Sequence, residues 1–337
     1  MKKSVLVPAA AATLLTLAAC GGGGGGGGAT LSGSDSTAGA AAEGGSGDAD
    51  SITVGLIPVA EFFPVYIAEQ EGFFEEEGLD VQIEVMSNAA SIVPSVLNGQ
   101  LTFGTTATPP FLVGVDKGIP ITAVANSANT ASGAENDTAA FLVKKGSDIS
   151  SVTGLEGRTV AVNALSSLPH VAAASLIKDQ GGDPSKVQFV AMPFPDMLGA
   201  LEQGRVDATI PVEPFMTQAL AGGQVEAIAP LYADVYAPGT THTLMFGSTQ
   251  FVQDNPEIVE KFQAALARAN ELVAEDEQVL RDALVEHGGM PQQVADVVKL
   301  PVYETEFAVE GMQDMADRML ETGFLTKPVS VSDVLAD

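Results

Sequence analysis

The sequence predicts an α/β protein built as two similar lobes, and three observations carry that prediction. A stretch at 91–111 (SIVPSVLNGQLTFGTTATPPF) is echoed 105 residues later at 196–216 (DMLGALEQGRVDATIPVEPFM). Superposed, Gly99 meets Gly204, Leu101 meets Val206, Thr108 meets Glu213 and Pro109 meets Pro214. Each copy reads as an apolar-periodic helix, a C-terminal glycine, a short β-rich run and an abrupt end at proline. Secondly, short apolar strands alternate with helical stretches along most of the chain, the mark of βαβ units and a largely parallel sheet. Thirdly, 337 residues with 46% hydrophobic and 17% charged content allow two domains, each with a core of its own.

The chain opens with Lys2 and Lys3, an apolar run from Val5 to Leu17, and then Leu17-Ala18-Ala19-Cys20. That is an export signal over 1–19, and its end resembles the bacterial lipoprotein signal, in which the cysteine is lipidated and becomes the mature N-terminus. Pro8 and the short apolar run argue against a membrane span. Segment 20–50, with eight consecutive glycines, is a flexible tether, because it has no apolar burial to offset the entropy of ordering it.

Folded structure is expected from Ile52, where 52–57 reads as a buried strand closed by Pro58. A helix over 65–72 ends at Gly72, and 79–85 alternates apolar and polar as a strand with one wetter face. Strands follow at 101–105, 119–125 and 138–145. The pattern then restarts, with strands at 158–162, 187–190, 207–212 and 225–229 and a helix over 170–178. An isolated strand at 241–247 leaves the second lobe. Asn255-Pro256-Glu257 reads as a helix start, followed by helices at 276–286, 291–298 and 303–321. In the last of these, Met312, Met315 and Met319 fall on one side, where they are expected to pack in the core. The expected layout is therefore 51–140 with 241–337 as lobe 1, and 141–240 as lobe 2.

The net charge of −28, from 15 basic and 43 acidic residues, excludes nucleic acid as a partner, because phosphates could not be neutralised. A single cysteine excludes an intrachain disulfide. No His/Cys/carboxylate group has metal-ligand spacing, so neither a metal nor a cofactor is expected.

In an open parallel sheet, ligands sit beyond the carboxyl ends of the strands. The candidates there are Phe62, Phe63, Asn88, Thr106, Thr108 and Asn126 in lobe 1, and Ser166, Ser167, Asp196 and Glu213 in lobe 2, with Asn163–Leu165 in the same turn as the serines. Thr108 and Glu213 are expected to share one cavity. Asp196 and Ser166 also suit helix capping, whereas Glu213, before Pro214, has no evident capping role. No lysine or arginine falls at a predicted strand tip, since Arg158 and Arg205 precede their strands. Guanidinium is the usual partner of an oxyanion, so its absence leans the site towards a ligand with N–H donors.

Five stretches in order, GLIPVAEFFPVYIAEQEGFFEEEGLDV, NGQLTFGTT, GRTVAVNALSSLPHVA, AMPFPDM and DATIPVEPF, resemble the extracytoplasmic solute-binding proteins of ABC importers. The likeness is to the nitrate/sulfonate/taurine group, which includes binders of thiamine-pyrimidine precursors, and it runs from about 52 to 324. It implies a periplasmic-binding-protein type II fold, two α/β lobes joined by crossover strands, here 138–145 and 241–247. It implies capture of a small molecule, either an aminopyrimidine-like heterocycle or a small oxyanion such as a sulfonate, taurine or nitrate. The partners it implies are an importer permease with its ATPase and, through lipid on Cys20, the bacterial cell membrane, on its periplasmic side or at the outer cell surface; a monomer is expected. Two alternatives are a pyridoxal-phosphate-dependent pyrimidine synthase using one of His170, His242 and His287, and a lipoprotein that reports ligand to a membrane receptor.

Overall fold

The computed structural model describes residues 49–86 and 89–336. The signal, Cys20 and nearly all of the tether lie outside the described residues, as does Asn88.

Ten strands form two five-stranded sheets. The first holds β1 (Asp50–Leu56), β2 (Leu79–Val85), β3 (Phe103–Ala107), β4 (Ile121–Asn129) and, from much later in the chain, β10 (Thr241–Ser248). The second holds β5 (Ala140–Lys144), β6 (Thr159–Val162), β7 (Gln188–Ala191), β8 (Ala208–Thr209) and β9 (Val225–Pro230). Their orders, β2-β1-β3-β10-β4 and β7-β6-β8-β5-β9, follow one plan. Three strands run parallel and the fourth is antiparallel to both neighbours. In each sheet that fourth strand, β10 or β5, is the one that arrives from the other lobe. The sheets are thus mixed, not largely parallel, because the strand entering from outside must run against its new neighbours.

The internal echo is a structural repeat. Helix Ile92–Leu97 ends before Gly99 at φ 76°, and helix Phe194–Glu202 before Gly204 at φ 69°. Both glycines take the left-handed conformation that closes a helix with least steric cost. Of the prolines expected to stop the strands, Pro109 instead sits in the first turn of a new helix, Thr108–Asp116, and Pro214 at the N-cap of another, Phe215–Ala221. Proline suits that position because its missing N–H would have had no intrahelical partner.

Helix Pro256–Glu275 covers the first sheet, stacking Phe262 on Phe103 at 4.4 Å and beside Phe74 at 5.6 Å. Met312, Met315 and Met319 are buried on helix Val309–Glu321. That helix starts six residues later than expected. Residues 303–308 are not helical: the carbonyls of Glu304 and Glu306 accept from the Asn126 side-chain amide at 3.0 and 2.8 Å. The second lobe has a smaller core around Leu142, Met197, Leu201 and Met216.

The crossovers, 130–139 and 231–240, lie side by side. Thr130 N–H donates to the Thr240 carbonyl at 2.9 Å and Gly239 N–H to the Thr130 carbonyl at 2.8 Å. The buried Asp137 carboxylate ties them further, accepting from the N–H groups of Ala139 (3.1 Å), Leu231 (2.8 Å) and Ala233 (2.9 Å). Asp137→Ala would leave these donors in a pocket that water does not reach, where each lost bond costs on the order of 1–3 kcal/mol. A drop in unfolding free energy of about 3 kcal/mol in urea, with an unchanged m-value, is expected.

Candidate functional site

A cavity of about 220 Å³ lies where the two lobes meet, walled by residues of both. From the first lobe come Ile57, Val59, Glu61 and Phe62 after β1, and Thr105 and Thr106 at the end of β3, with Thr243 beside them on β10. From the second come Asn163, Ala164 and Leu165 after β6, then Ser167, Leu168, Phe194 and Val212. Tyr232, on the second crossover, completes the wall. The lining sits at the carboxyl ends of the parallel strands, as the geometry of open sheets requires.

Six of these residues hold a buried polar atom with no hydrogen-bond partner among the described residues: Glu61 Oε2, Thr105 Oγ1, Thr243 Oγ1, Asn163 Oδ1, Ser167 Oγ and Tyr232 Oη. Buried polar groups are paired in the great majority of cases, and an unpaired one costs about 1–3 kcal/mol. Six around one cavity mark a surface shaped for a polar partner. The charge balance is one-sided: among the described lining residues Glu61 is the only ionisable group but for the Tyr232 phenol, and there is no lysine, arginine or histidine. Two of the helix N-termini at the cavity, the other usual anion holders, are blunted by proline. Helix Thr108–Asp116 carries Pro109 and Pro110 in its first turn, and Leu168–Asp179 carries Pro169. None of the three has an N–H to offer.

Glu61 is 2% exposed, in a short turn, Ala60–Phe62, that is held from three sides. Ser127 Oγ donates to its carbonyl at 2.6 Å, Tyr303 Oη donates to the Ala60 carbonyl at 2.7 Å, and Ala60 N–H donates to the Glu213 carbonyl at 3.4 Å. Burial, with a smaller contribution from the Glu213 charge, pushes its carboxyl up to about 7 from 4.5. Tyr232 and Tyr303 are themselves pushed well up, first by burial and then by Glu61.

The structure sorts the residues named from sequence into two groups. Phe62, Thr106 and Ser167 line the cavity. The other described candidates do not, and each has a task elsewhere. Phe63 is buried against Tyr66, ring centroids 5.4 Å apart. Thr108 Oγ1 donates to the Thr241 carbonyl at 2.9 Å. The Asn126 amide donates to Asn129 Oδ1 as well as to the two carbonyls already described. Ser166, at φ 62°, donates its N–H to His170 Nδ1 at 2.8 Å. Asp196 lies exposed in the first turn of its helix, with Pro193 rather than Asp196 at the cap. Glu213 is fully buried and does have a capping role: its carboxylate accepts from Thr217 N–H (3.1 Å), Thr217 Oγ1 (2.7 Å) and Lys299 N–H (3.3 Å). Thr108 and Glu213 therefore do not share a cavity as expected: the inter-lobe cavity is walled by their neighbours Ala107 and Val212, while their own polar atoms are bonded elsewhere. Sequence reasoning missed Glu61, Thr105, Tyr232 and Thr243. Only Glu61 carried a signal, a lone acid inside the apolar run VAEFFPVYI.

A two-lobed α/β clamp with a polar-lined cavity between its sheets is the class of protein that this fold and site define. The chain belongs to the NMT1/THI5-like family, whose profile matches residues 59–279. It is 23% identical over 310 residues to the riboflavin-binding protein RibY of Chloroflexus aurantiacus, covering 85% of this chain and 84% of that one. To the formylaminopyrimidine-binding protein of Halalkalibacterium halodurans it is 21% identical over 215 residues, 63% of this chain and 62% of that one. A yeast relative, the 4-amino-5-hydroxymethyl-2-methylpyrimidine phosphate synthase THI13 of Saccharomyces cerevisiae, is 23% identical over 65% of each chain. Among solved structures, the periplasmic aliphatic sulphonate-binding protein SsuA of Escherichia coli superposes with a TM-score of 0.70 at 18% identity, over 85% of this chain and 97% of that one. The fold is that of the type II periplasmic binding proteins.

The raised Glu61 carboxyl has a consequence for the empty protein. Folded Glu61 keeps a proton that the unfolded chain releases, so its contribution to stability falls as pH rises from about 4.5 to about 7 and is lowest above that. Glu61→Gln removes this dependence. The variant should be more stable than the parent at pH 8, by on the order of 3 kcal/mol at most, and close to it at pH 4.5; paired thermal melts at the two pH values measure the difference.

Proposed function

We propose that the protein is an extracytoplasmic solute-binding protein which closes its two lobes on a small ring-bearing molecule with N–H donors and delivers it to an ABC importer. The observation that carries this reading is the cavity itself. It is walled from both lobes, holds six unpartnered polar atoms and carries no cation. A ligand of about ten heavy atoms held at micromolar strength must gain ~8 kcal/mol, which requires most of its surface to be enclosed. Two lobes on a hinge enclose it and still release it, and periplasmic binding proteins are a standard instance of hinge closure.

Within the proposed ligand set, Glu61 and Asn163 accept hydrogen bonds, Thr105, Thr243, Ser167 and Tyr232 accept or donate, and Phe62 and Leu168 cover the ring faces. Phe63, Thr108, Asn126, Ser166, Asp196 and Glu213 are left out of that set because their described partners or positions lie elsewhere. An oxyanion is disfavoured, since it would face a carboxylate and proline-blunted helix ends. The ligands named for the pyrimidine and riboflavin relatives bear N–H groups and fit the same polarity.

The synthase name of the yeast relative raises an enzymatic reading. Against it, no lysine for an imine and no histidine lines the cavity among the described residues. His242 is buried on β10, stacked near Tyr232, and His170 packs between Phe189 and Phe324. The reading retained is a binding protein without catalysis.

At the other end of the chain, the basic start, the apolar run and Cys20 support a lipid anchor, whose acyl chains bury CH₂ groups at about 0.8 kcal/mol each. Cys20→Ser should move the protein from the membrane fraction to the soluble one with ligand binding unchanged; continued sedimentation with membranes would rule out the anchor.

The ligand reading is tested by a thermal-shift screen of aminopyrimidines, flavins, taurine, alkanesulfonates and nitrate. Stabilisation by the N–H-bearing rings and not by the anions is expected. Asn163→Ala and Thr105→Val should each weaken binding of the hit by about five- to tenfold, or ~1 kcal/mol, while the isosteric Thr105→Val, by removing an unpaired buried hydroxyl, should not lower the melting temperature of the empty protein. Stabilisation by an oxyanion alone would overturn the assignment.

A further inference from the structure

Resting on the reading above, we infer that Glu61 is the specificity-determining group of the cavity, and that it recognises a weakly basic amidine edge (ring nitrogen beside an exocyclic amine) by sharing one proton with it.

The argument begins with the surroundings of the carboxyl. Glu61 is 2% exposed, and its Oε2 has no partner among the described residues. The groups that face it from neighbouring elements are Glu213 from the loop after β8, Tyr232 from the second crossover and Tyr303 from the segment after 298. Behind Glu213 stands Lys299, whose N–H and charge act on that carboxylate. Two buried acids thus share this region, both pushed up by burial, and Glu213 is the one whose carboxylate accepts described hydrogen bonds, from Thr217 and from Lys299 N–H. A second negative charge without a counter-ion is disfavoured there, so Glu61 is the acid that keeps its proton. The direction in which its carboxyl is pushed, to about 7, agrees.

A protonated carboxyl and an amidine edge are complementary. The O–H of Glu61 points at the ring nitrogen, and the exocyclic N–H donates to the other carboxyl oxygen. On docking, the Glu61 O–H bond breaks and a ring N–H bond forms; the charges created are paired across two hydrogen bonds, and no third reactant is needed. This explains why an unpartnered acid sits in a cavity without a cation. A fixed cation would require Glu61 to have lost its proton first, and an amide-only ligand would not need an acid.

The bound complex holds one proton in the pair at every pH near neutrality. Empty protein already holds it below about 7 and must take it from solvent above that. Affinity for a weak base should therefore be flat from pH 6 to 7 and fall by about tenfold per unit beyond pH 7.5, with about one proton taken up per ligand at pH 8.5. A permanently charged ligand would give the opposite slope.

The experiment is calorimetric titration of the full protein with 2-aminopyrimidine, an amidine-edged base too weak to be protonated in solution at pH 6, from pH 6 to 9, in two buffers of different ionisation enthalpy. Near-zero proton exchange at pH 6, uptake close to one at pH 8.5 and the matching fall in affinity are expected. Glu61→Gln presents an uncharged amide to the same edge. It should bind within about tenfold of the parent at pH 6 and show no slope. A flat or rising profile in the parent, or a slope kept by Glu61→Gln, would overturn the inference while leaving the binding-protein reading intact. Binding of a non-basic ring alone would do the same, and capture only of taurine or an alkanesulfonate would overturn both. The parent's proton uptake decides the matter even if the variant does not fold.

Discussion

Everything in this molecule depends on two strands that leave one sheet's lobe and enter the other sheet against the grain. β5 and β10 each run antiparallel between parallel neighbours, and the segments feeding them are bonded to each other through Thr130, Gly239 and Thr240. A strand that enters from the carboxyl side of a parallel sheet must run antiparallel to it. Both crossovers therefore reach their sheets at the ends where ligands bind. The two sheets consequently turn their carboxyl ends towards one another, and the cavity is the space left between them.

That arrangement also explains how the cavity tolerates unmet polar groups. A polar atom without a partner destabilises the protein by an amount comparable to the value of a good hydrogen bond. The groups that hold the cavity wall in place are hydrogen-bonded by contrast. Asp137 accepts three backbone bonds, Glu213 accepts three, and the turn bearing Glu61 is fixed by Ser127, Tyr303 and Glu213. Rigid, fully bonded supports hold poorly satisfied tips in place, which is the physical meaning of a preorganised site. The general acidity of the chain is a separate feature, since among the described residues few acids are buried.

Much of the fold was legible in the residues. The glycines at 99 and 204, placed after apolar-periodic helices and before β-rich runs, located a repeat that the structure realises with matching backbone geometry. Alternation over 79–85 matched β2 along its whole length. Proline was harder to read. Pro109 and Pro214 were expected to close strands, but their function is to open helices, and one residue type at one boundary serves either purpose. The start of the last helix was missed because 303–308 is fixed by Asn126 and Asn270, more than thirty residues away.

What the sequence determined by itself is the local grammar: which segments are strands or helices, that the lobe is made twice, and that no cation stands at the sheet tips. These follow from periodicity, backbone freedom and composition, which are properties of neighbours along the chain. The tertiary structure alone decided which polar tips face the ligand space. Asn126, Thr108 and Glu213 stand at or near strand ends just as Thr105 and Asn163 do. The Asn126 amide donor, the Thr108 hydroxyl and the Glu213 carboxylate, however, are bonded to Glu304, Thr241 and Lys299, residues 178, 133 and 86 positions away. Whether a side chain is free to bind depends on partners that only folding brings near, and no local pattern encodes them.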